Sequence, residues 1–182
     1  MNYLVNFAKS DPQLIISCLY KYFDMVAQRY DYWDLVINNR HGQPTLIVEV
    51  KGKIGTSPKW AAQLRRNILA HGIAPLTPYF LIAFPDKFYL WKNDAESNFI
   101  DEKEPDYIID ASSILQPYFK EIKTKGDRIR ESSLQMIIVS WLNEIMYSQE
   151  AIEELKKSKS WLIDSGLYAS LVGGKIVHEA TV

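Results

Sequence analysis

One cysteine in 182 residues, Cys18, leaves no internal disulfide to form, and a reducing cytoplasm suits such a chain. Histidine is also scarce. His41, His71 and His178 are scattered, and with one thiol there is no Zn²⁺-ligand spacing. No apolar run approaches the roughly 18 residues that a membrane-spanning helix needs. Residues 1–9 hold no basic segment leading into an apolar one, so neither export nor a membrane location is expected. Charge of one sign is missing as well. A net charge of −1 argues against a non-specific nucleic-acid coat, which needs clustered Lys and Arg, but leaves room for a local basic face. Gly173-Gly174-Lys175 has the look of a phosphate loop, yet Ala169 stands where its first glycine is required and Ile176 where Ser or Thr is required. No Gly-x-Ser-x-Gly elbow occurs.

What is present is enough apolar residue, 47%, for one well-cored domain over residues 1–182. The charge is segregated along it. From Leu35 to Pro85 Glu49 stands alone as an acid against Arg40, Lys51, Lys53, Lys59, Arg65 and Arg66. From Asp94 to Asp110 the balance reverses, with Asp94, Glu96, Asp101, Glu102, Glu104, Asp106 and Asp110 against Lys103. The basic block suits a phosphodiester ligand. The acidic block reads as solvated surface, or as a shield over the basic face until a partner displaces it.

Residues 33–51 carry the most information. Two apolar runs read as strands joined by a polar loop around Gly42, with Asp34 on the first and Glu49 and Lys51 on the second. Strand interiors rarely carry charge unless it is paired or binds something. Glu49 and Lys51 project from the same face of their strand. If Asn38 pairs with Thr45, antiparallel counting sets Val36 opposite Ile47 and Asp34 opposite Glu49. Opposed side chains lie about 4.5–5.5 Å apart at Cβ, and opposed like charges destabilise a sheet. Two carboxylates so placed are a liability unless a divalent cation sits between them. The alternative is a Glu49–Lys51 salt bridge at a strand end. Asp31 rivals Asp34, but precedes the strand and reads as a turn residue.

Around these strands the chain predicts an amphipathic helix over 11–30, with Asp11 as its cap, Pro12 at its first turn and Cys18 in its apolar stripe. A second helix opens at Ser57-Pro58 and closes at Gly72, packing through Trp60, Ala61, Leu64 and Ile68. Strands follow at 78–84 and 88–92, then an acidic, looped connection over 93–130 with a short extended run at Tyr107–Asp110. Residues 131–182 read as a mainly helical extension: helices at 131–147, 149–158 and 160–171, then a strand at Lys175–His178.

Asp-Leu-Val-Ile, a turn and Ile-Val-Glu-Val-Lys resemble the PD-(D/E)xK nuclease superfamily, with Trp33 where a proline often stands. The order helix, strand, strand, helix, strand over 11–92 resembles the superfamily core, and the whole chain is similar to small stand-alone bacterial members, particularly cyanobacterial ones. The resemblance implies an α/β fold with a restriction-endonuclease-like core, a central mixed sheet flanked by helices. It implies Mg²⁺, with Mn²⁺ as the alternative, held by Asp34, Glu49 and the Val50 carbonyl, two carboxylates being suited to that hard cation. Lys51 would orient or help deprotonate a water, or stabilise developing negative charge. Several RecB-like relatives place a glutamine on the next helix, which implies a supporting role for Gln63, although Asn67 stands where their tyrosine would. An exposed polar face is the other reading of Gln63. The predicted first helix offers no glutamate, so a one-metal site is expected. The implied activity is phosphodiester hydrolysis in nucleic acid, DNA favoured, with Lys53, Lys59, Arg65 and Arg66 contacting the backbone. The rival expectation is a non-catalytic interaction module on the same fold. A homodimer through the C-terminal helices is a further expectation.

Overall fold

The computed structural model describes residues 33–71, 77–93, 102–121, 129–150 and 152–179. The helix expected over 11–30, with Asp11 and Cys18, and the expected turn residue Asp31 lie outside them.

Alternating and continuous apolar runs build six strands: β1 (Leu35–Asn38), β2 (Pro44–Val50), β3 (Tyr79–Ala83), β4 (Lys87–Lys92), β5 (Tyr107–Asp110) and β6 (Lys175–Glu179). They form one sheet in the order β5-β4-β3-β2-β1-β6. β2 and β3 run parallel, and the other neighbours are antiparallel. Thr45–Val50 and Tyr79–Ala83 are buried on both faces, as parallel neighbours covered by helices on each side must be. The fold is therefore α/β, a mixed sheet flanked by helices.

The parallel step is made by α1 (Pro58–His71). Ser57 caps it, its Oγ accepting the Trp60 N–H at 3.2 Å, and Pro58 fills the first helical position, where no N–H is needed. α1 lays Trp60, Ala61, Leu64, Ile68 and Leu69 on the face of the sheet formed by Val36, Ile47, Phe80, Ile82 and Trp91. The opposite face, with Leu35, Ile37, Leu46, Val48, Val50, Leu81 and Leu90, packs on α2 (Ala111–Glu121), α3 (Glu131–Met146) and the short helices α4 (Ile152–Ser158), α5 (Ser160–Asp164) and α6 (Leu167–Leu171).

Three details depart from the sequence reading. The connection over 93–130 contains α2, which Asp110 caps by accepting the Ser112 N–H at 2.9 Å. Pro117 is on its exposed side, and Ala111, Leu115 and Phe119 form its buried stripe. The single helix expected over 160–171 is two helices, because Gly166 takes a left-handed φ of 82°. It also sits so close to the Tyr79 hydroxyl that a Cβ would lie 2.9 Å from it. The C-terminal strand is no appendage: β6 pairs along the full length of β1 and closes that side of the sheet. Gly173, at φ 72°, turns the chain into it, and Gly174 lies against the Asn38 carbonyl. The phosphate-loop look of Gly173-Gly174-Lys175 thus marks a tight turn. No helix among the described residues is long and apolar enough to cross a membrane.

Candidate functional site

The β1–β2 hairpin places the charged groups. Leu35 pairs with Val48 and Val36 with Ile47, as expected, but Asn38 pairs with Pro44 through a bulge, not with Thr45. The loop is tied by Asn39, whose Oδ1 accepts the N–H groups of His41 and Gln43, and the bulge absorbs the extra residue. Beyond the bulge the register is unaffected. Extended by one residue it sets Asp34 across from Glu49, on the α1 side of the sheet where Val36 and Ile47 point.

Asp34 is held from several sides. Its Oδ2 accepts the Val50 N–H at 2.7 Å and lies 3.4 Å from Lys51 Nζ. Its own carbonyl lies 3.4 Å from Gln135 Nε2 on α3. Glu49 is only 5% exposed. Its Oε2 meets Lys51 Nζ at 3.1 Å, while its Oε1 is buried with no hydrogen-bond partner among the described residues. Burial, the Asp34 charge and a hydrogen bond to Asp34 that favours the protonated acid raise its pKa from 4.5 to about 7, against the pull of Lys51. Burial lowers the pKa of Lys51, but Glu49 and Asp34, with a smaller contribution from Glu131, outweigh it and hold the ammonium above its ordinary range.

The segment after β2 is stitched down residue by residue. Lys51 N–H donates to the Ala83 carbonyl at 3.0 Å. Gly52 N–H donates to Glu131 Oε2 at 3.1 Å, and Gly55 N–H to Asp86 Oδ2 at 2.9 Å. The Tyr89 hydroxyl donates to the Thr56 carbonyl at 2.6 Å. Lys51 therefore leaves a fixed backbone, and its Nζ is also 3.6 Å from Glu131 Oε1.

Of the expected site residues, Asp34, Glu49 and Lys51 come together, and Val50 joins them through its N–H. Gln63 and Asn67 are exposed on α1, and no hydrogen bond or ion pair links either to this cluster among the described residues. The basic residues divide. Lys59 is exposed. Lys53 Nζ stands 4.6 Å over the Trp60 ring. Arg66 is exposed and paired with Glu102 at 3.1 Å. Arg65 is the correction. It is 3% exposed, its guanidinium lies over Phe80 and Trp91, and Nη2 donates to Asn93 Oδ1 at 2.8 Å. A group so enclosed has no face for a backbone phosphate. Trp33, next to Asp34 in the chain, is fully buried and meets Phe80 edge-on.

Glu131 and Gln135 were not legible as site residues. Glu131 reads as an ordinary acid in the first turn of a helix, and its contact with Gly52 spans 79 positions of sequence. The donor set, two opposed carboxylates with one unpartnered buried oxygen, fits a hard divalent cation that keeps much of its water. Asp34 and Glu49 are the side chains here that could hold such a cation; no group of three His, Cys, Asp or Glu side chains positioned to hold a metal ion occurs among the described residues. Comparison of the chain with family models, with curated proteins and with solved structures finds no match in any of the three.

Proposed function

We propose that this protein is a metal-dependent nuclease of the PD-(D/E)xK kind, hydrolysing phosphodiester bonds in nucleic acid, with DNA favoured as substrate and Mg²⁺ or Mn²⁺ as cofactor. One observation carries the reading: Glu49 is buried opposite Asp34, with an ionised-form oxygen that has no donor among the described residues and a pKa raised to about 7. Perturbed carboxylates of this sort are a mark of functional sites. The core order, two antiparallel strands, a crossover helix and a parallel strand, supports a restriction-endonuclease-like fold.

In this reading Asp34 and Glu49 hold the metal, with the Val50 carbonyl as a further ligand. A bound divalent cation supplies an acidified water and offsets charge on the phosphoryl oxygens. Lys51, already beside both carboxylates, orients the attacking water or stabilises charge on the phosphoryl group. Lys59 and Lys53 contact the nucleic-acid backbone, joined by Arg66 once it leaves Glu102, and Gln63 supports from α1.

A Mg²⁺ and Mn²⁺ titration by calorimetry tests this, on wild type and Glu49→Gln, with cleavage of labelled single- and double-stranded DNA on the same preparations. Binding and cleavage that both vanish in the variant are expected. The second reading, an interaction module on the same fold, is favoured by Met136 and Tyr147, both widely exposed on and just after α3. A wild type that binds no metal supports it.

A further inference from the structure

Lys51 is the centre of three ion pairs, and the three are not alike. Glu49 and Asp34, at 3.1 and 3.4 Å, are the carboxylates that the nuclease reading assigns to the cation. Lys51 sits on Glu49 Oε2 and Asp34 Oδ2, and an ammonium held there repels a divalent cation bound to the same two carboxylates. Lys51 must give ground when the cation enters. The third partner, Glu131 Oε1 at 3.6 Å, lies outside that competition, on a side chain 52% exposed where that of Glu49 is 6% exposed. It is also anchored: Oε2 accepts the Gly52 N–H, so the carboxylate is fixed to the backbone one residue beyond Lys51. The N-terminal end of α3 is thereby locked to the end of β2.

We propose that Glu131 is a positioning residue for Lys51: it takes over the ammonium when a divalent cation occupies the Asp34–Glu49 pair. This rests on the nuclease reading and adds a role that the motif itself does not contain. Glu131 removes a competitor from the metal's carboxylates and fixes where the charge of Lys51 stands toward the phosphodiester. Without it, Lys51 keeps its place on Glu49 and Asp34 and opposes metal entry.

The test is a double-mutant cycle read by Mn²⁺ calorimetry on the full chain: wild type, Glu131→Gln, Lys51→Met and both together. Glu131→Gln retains an oxygen for Gly52 and removes the charge, so the backbone tie survives. It is expected to weaken Mn²⁺ binding by about five- to tenfold in the wild-type background, a coupling usual for groups in contact. The same change is expected to have no effect once Lys51 is methionine. Equal weakening in both backgrounds would overturn the proposal, since Glu131 would then act on the metal or on the fold directly. No weakening in the wild-type background would overturn it too. If Lys51→Met does not fold, Lys51→Gln closes the same cycle. Failure of the underlying reading looks different: wild type binds no Mn²⁺, or binding survives Glu49→Gln.

Discussion

Replacing Glu49 with glutamine should stabilise the metal-free protein at pH 8 and have little effect near pH 4.5, the reverse of what a structural salt bridge would show. The folded-state pKa of Glu49 is about 7 against an ordinary 4.5. The folded state thus binds the extra proton between these values, and stability falls as pH rises from about 4.5 to about 7. At roughly 1.4 kcal/mol per unit, a difference of about 2.5 units makes the ionised carboxylate cost about 3 kcal/mol at pH 8. Lys51 does not confuse the window. Its pKa is raised, so its contribution is intact below about 10.5 and is lost only as pH climbs through the higher folded value.

Glutamine carries its own burial cost, but that cost does not change with pH. The quantity to measure is therefore the stability difference between Glu49→Gln and wild type, by urea unfolding in chelator, at pH 5 and pH 8. It should become more favourable to the variant by about 2 kcal/mol across that interval. Saturating Mg²⁺ should then stabilise wild type, by about 2.7 kcal/mol at one hundred times Kd, and leave the variant unmoved. A variant less stable than wild type at pH 8, by as much as or more than at pH 5, would refute the reasoning. Glu49 would then be an anion stabilised by Lys51, and no vacancy for a cation would be needed to explain it.

Other consequences are simpler to state. Glu102→Gln frees Arg66, so affinity for DNA should rise by about two- to threefold at low salt and converge with wild type at high salt in anisotropy titrations; an unchanged affinity would mean that Arg66 faces no phosphate. Arg65→Met should cost about 2 kcal/mol of stability by urea unfolding, through the lost ring contacts and the abandoned Asn93, and should leave the salt slope of DNA binding unchanged. Gly174→Ala drives a Cβ into the Asn38 carbonyl, and pushing β6 from β1 should lower Tm by about 5 °C or more in a calorimetric scan.

The parts of this fold that sequence reveals are those set by neighbours in the chain. Ser57-Pro58 announces α1 because capping and a missing N–H are local requirements. Val36 opposite Ile47 follows from a short hairpin whose two strands alternate. The end of that hairpin departs from the count by one position, since a bulge depends on how Asn39 folds the loop and not on hydrophobic pattern. α2 falls in the stretch read as an acidic, looped connection, and it accommodates Pro117 on its exposed side. The pairing of β6 with β1 and the reach of Glu131 to Gly52 are tertiary facts, with no signature in either segment. Arg65 shows the same limit in the basic block. Its neighbours Lys59 and Arg66 stay in solvent, but the turn of α1 points Arg65 at Phe80 and Trp91, and charge counted along the sequence cannot see that.

Arg65 and Glu49 together bear on what the site is for. Both are charged, both are buried, and both lie on the α1 side of the sheet, yet they are not paired with each other. Arg65 lies against two aromatic faces and donates to one amide, although its Nε also lacks a partner among the described residues, and it faces no like charge there. Glu49 is not so placed. It faces another carboxylate, and among the described residues one of its oxygens has no partner and its one cation is shared with Asp34 and Glu131. Replacing a buried ion pair by apolar residues of similar volume is often neutral or stabilising, so stability gives little reason for such a cluster. The surrounding scaffold is nonetheless firm: Val50 and Gln135 on Asp34, Ala83 on Lys51, and Glu131 on Gly52. Rigid support around an unsatisfied centre is the arrangement a binding site requires, because the support fixes the donors before the ligand arrives. Under the proposed nuclease reading, the ligand that would satisfy these two opposed carboxylates above pH 7, where the proton is lost, is a small hard cation.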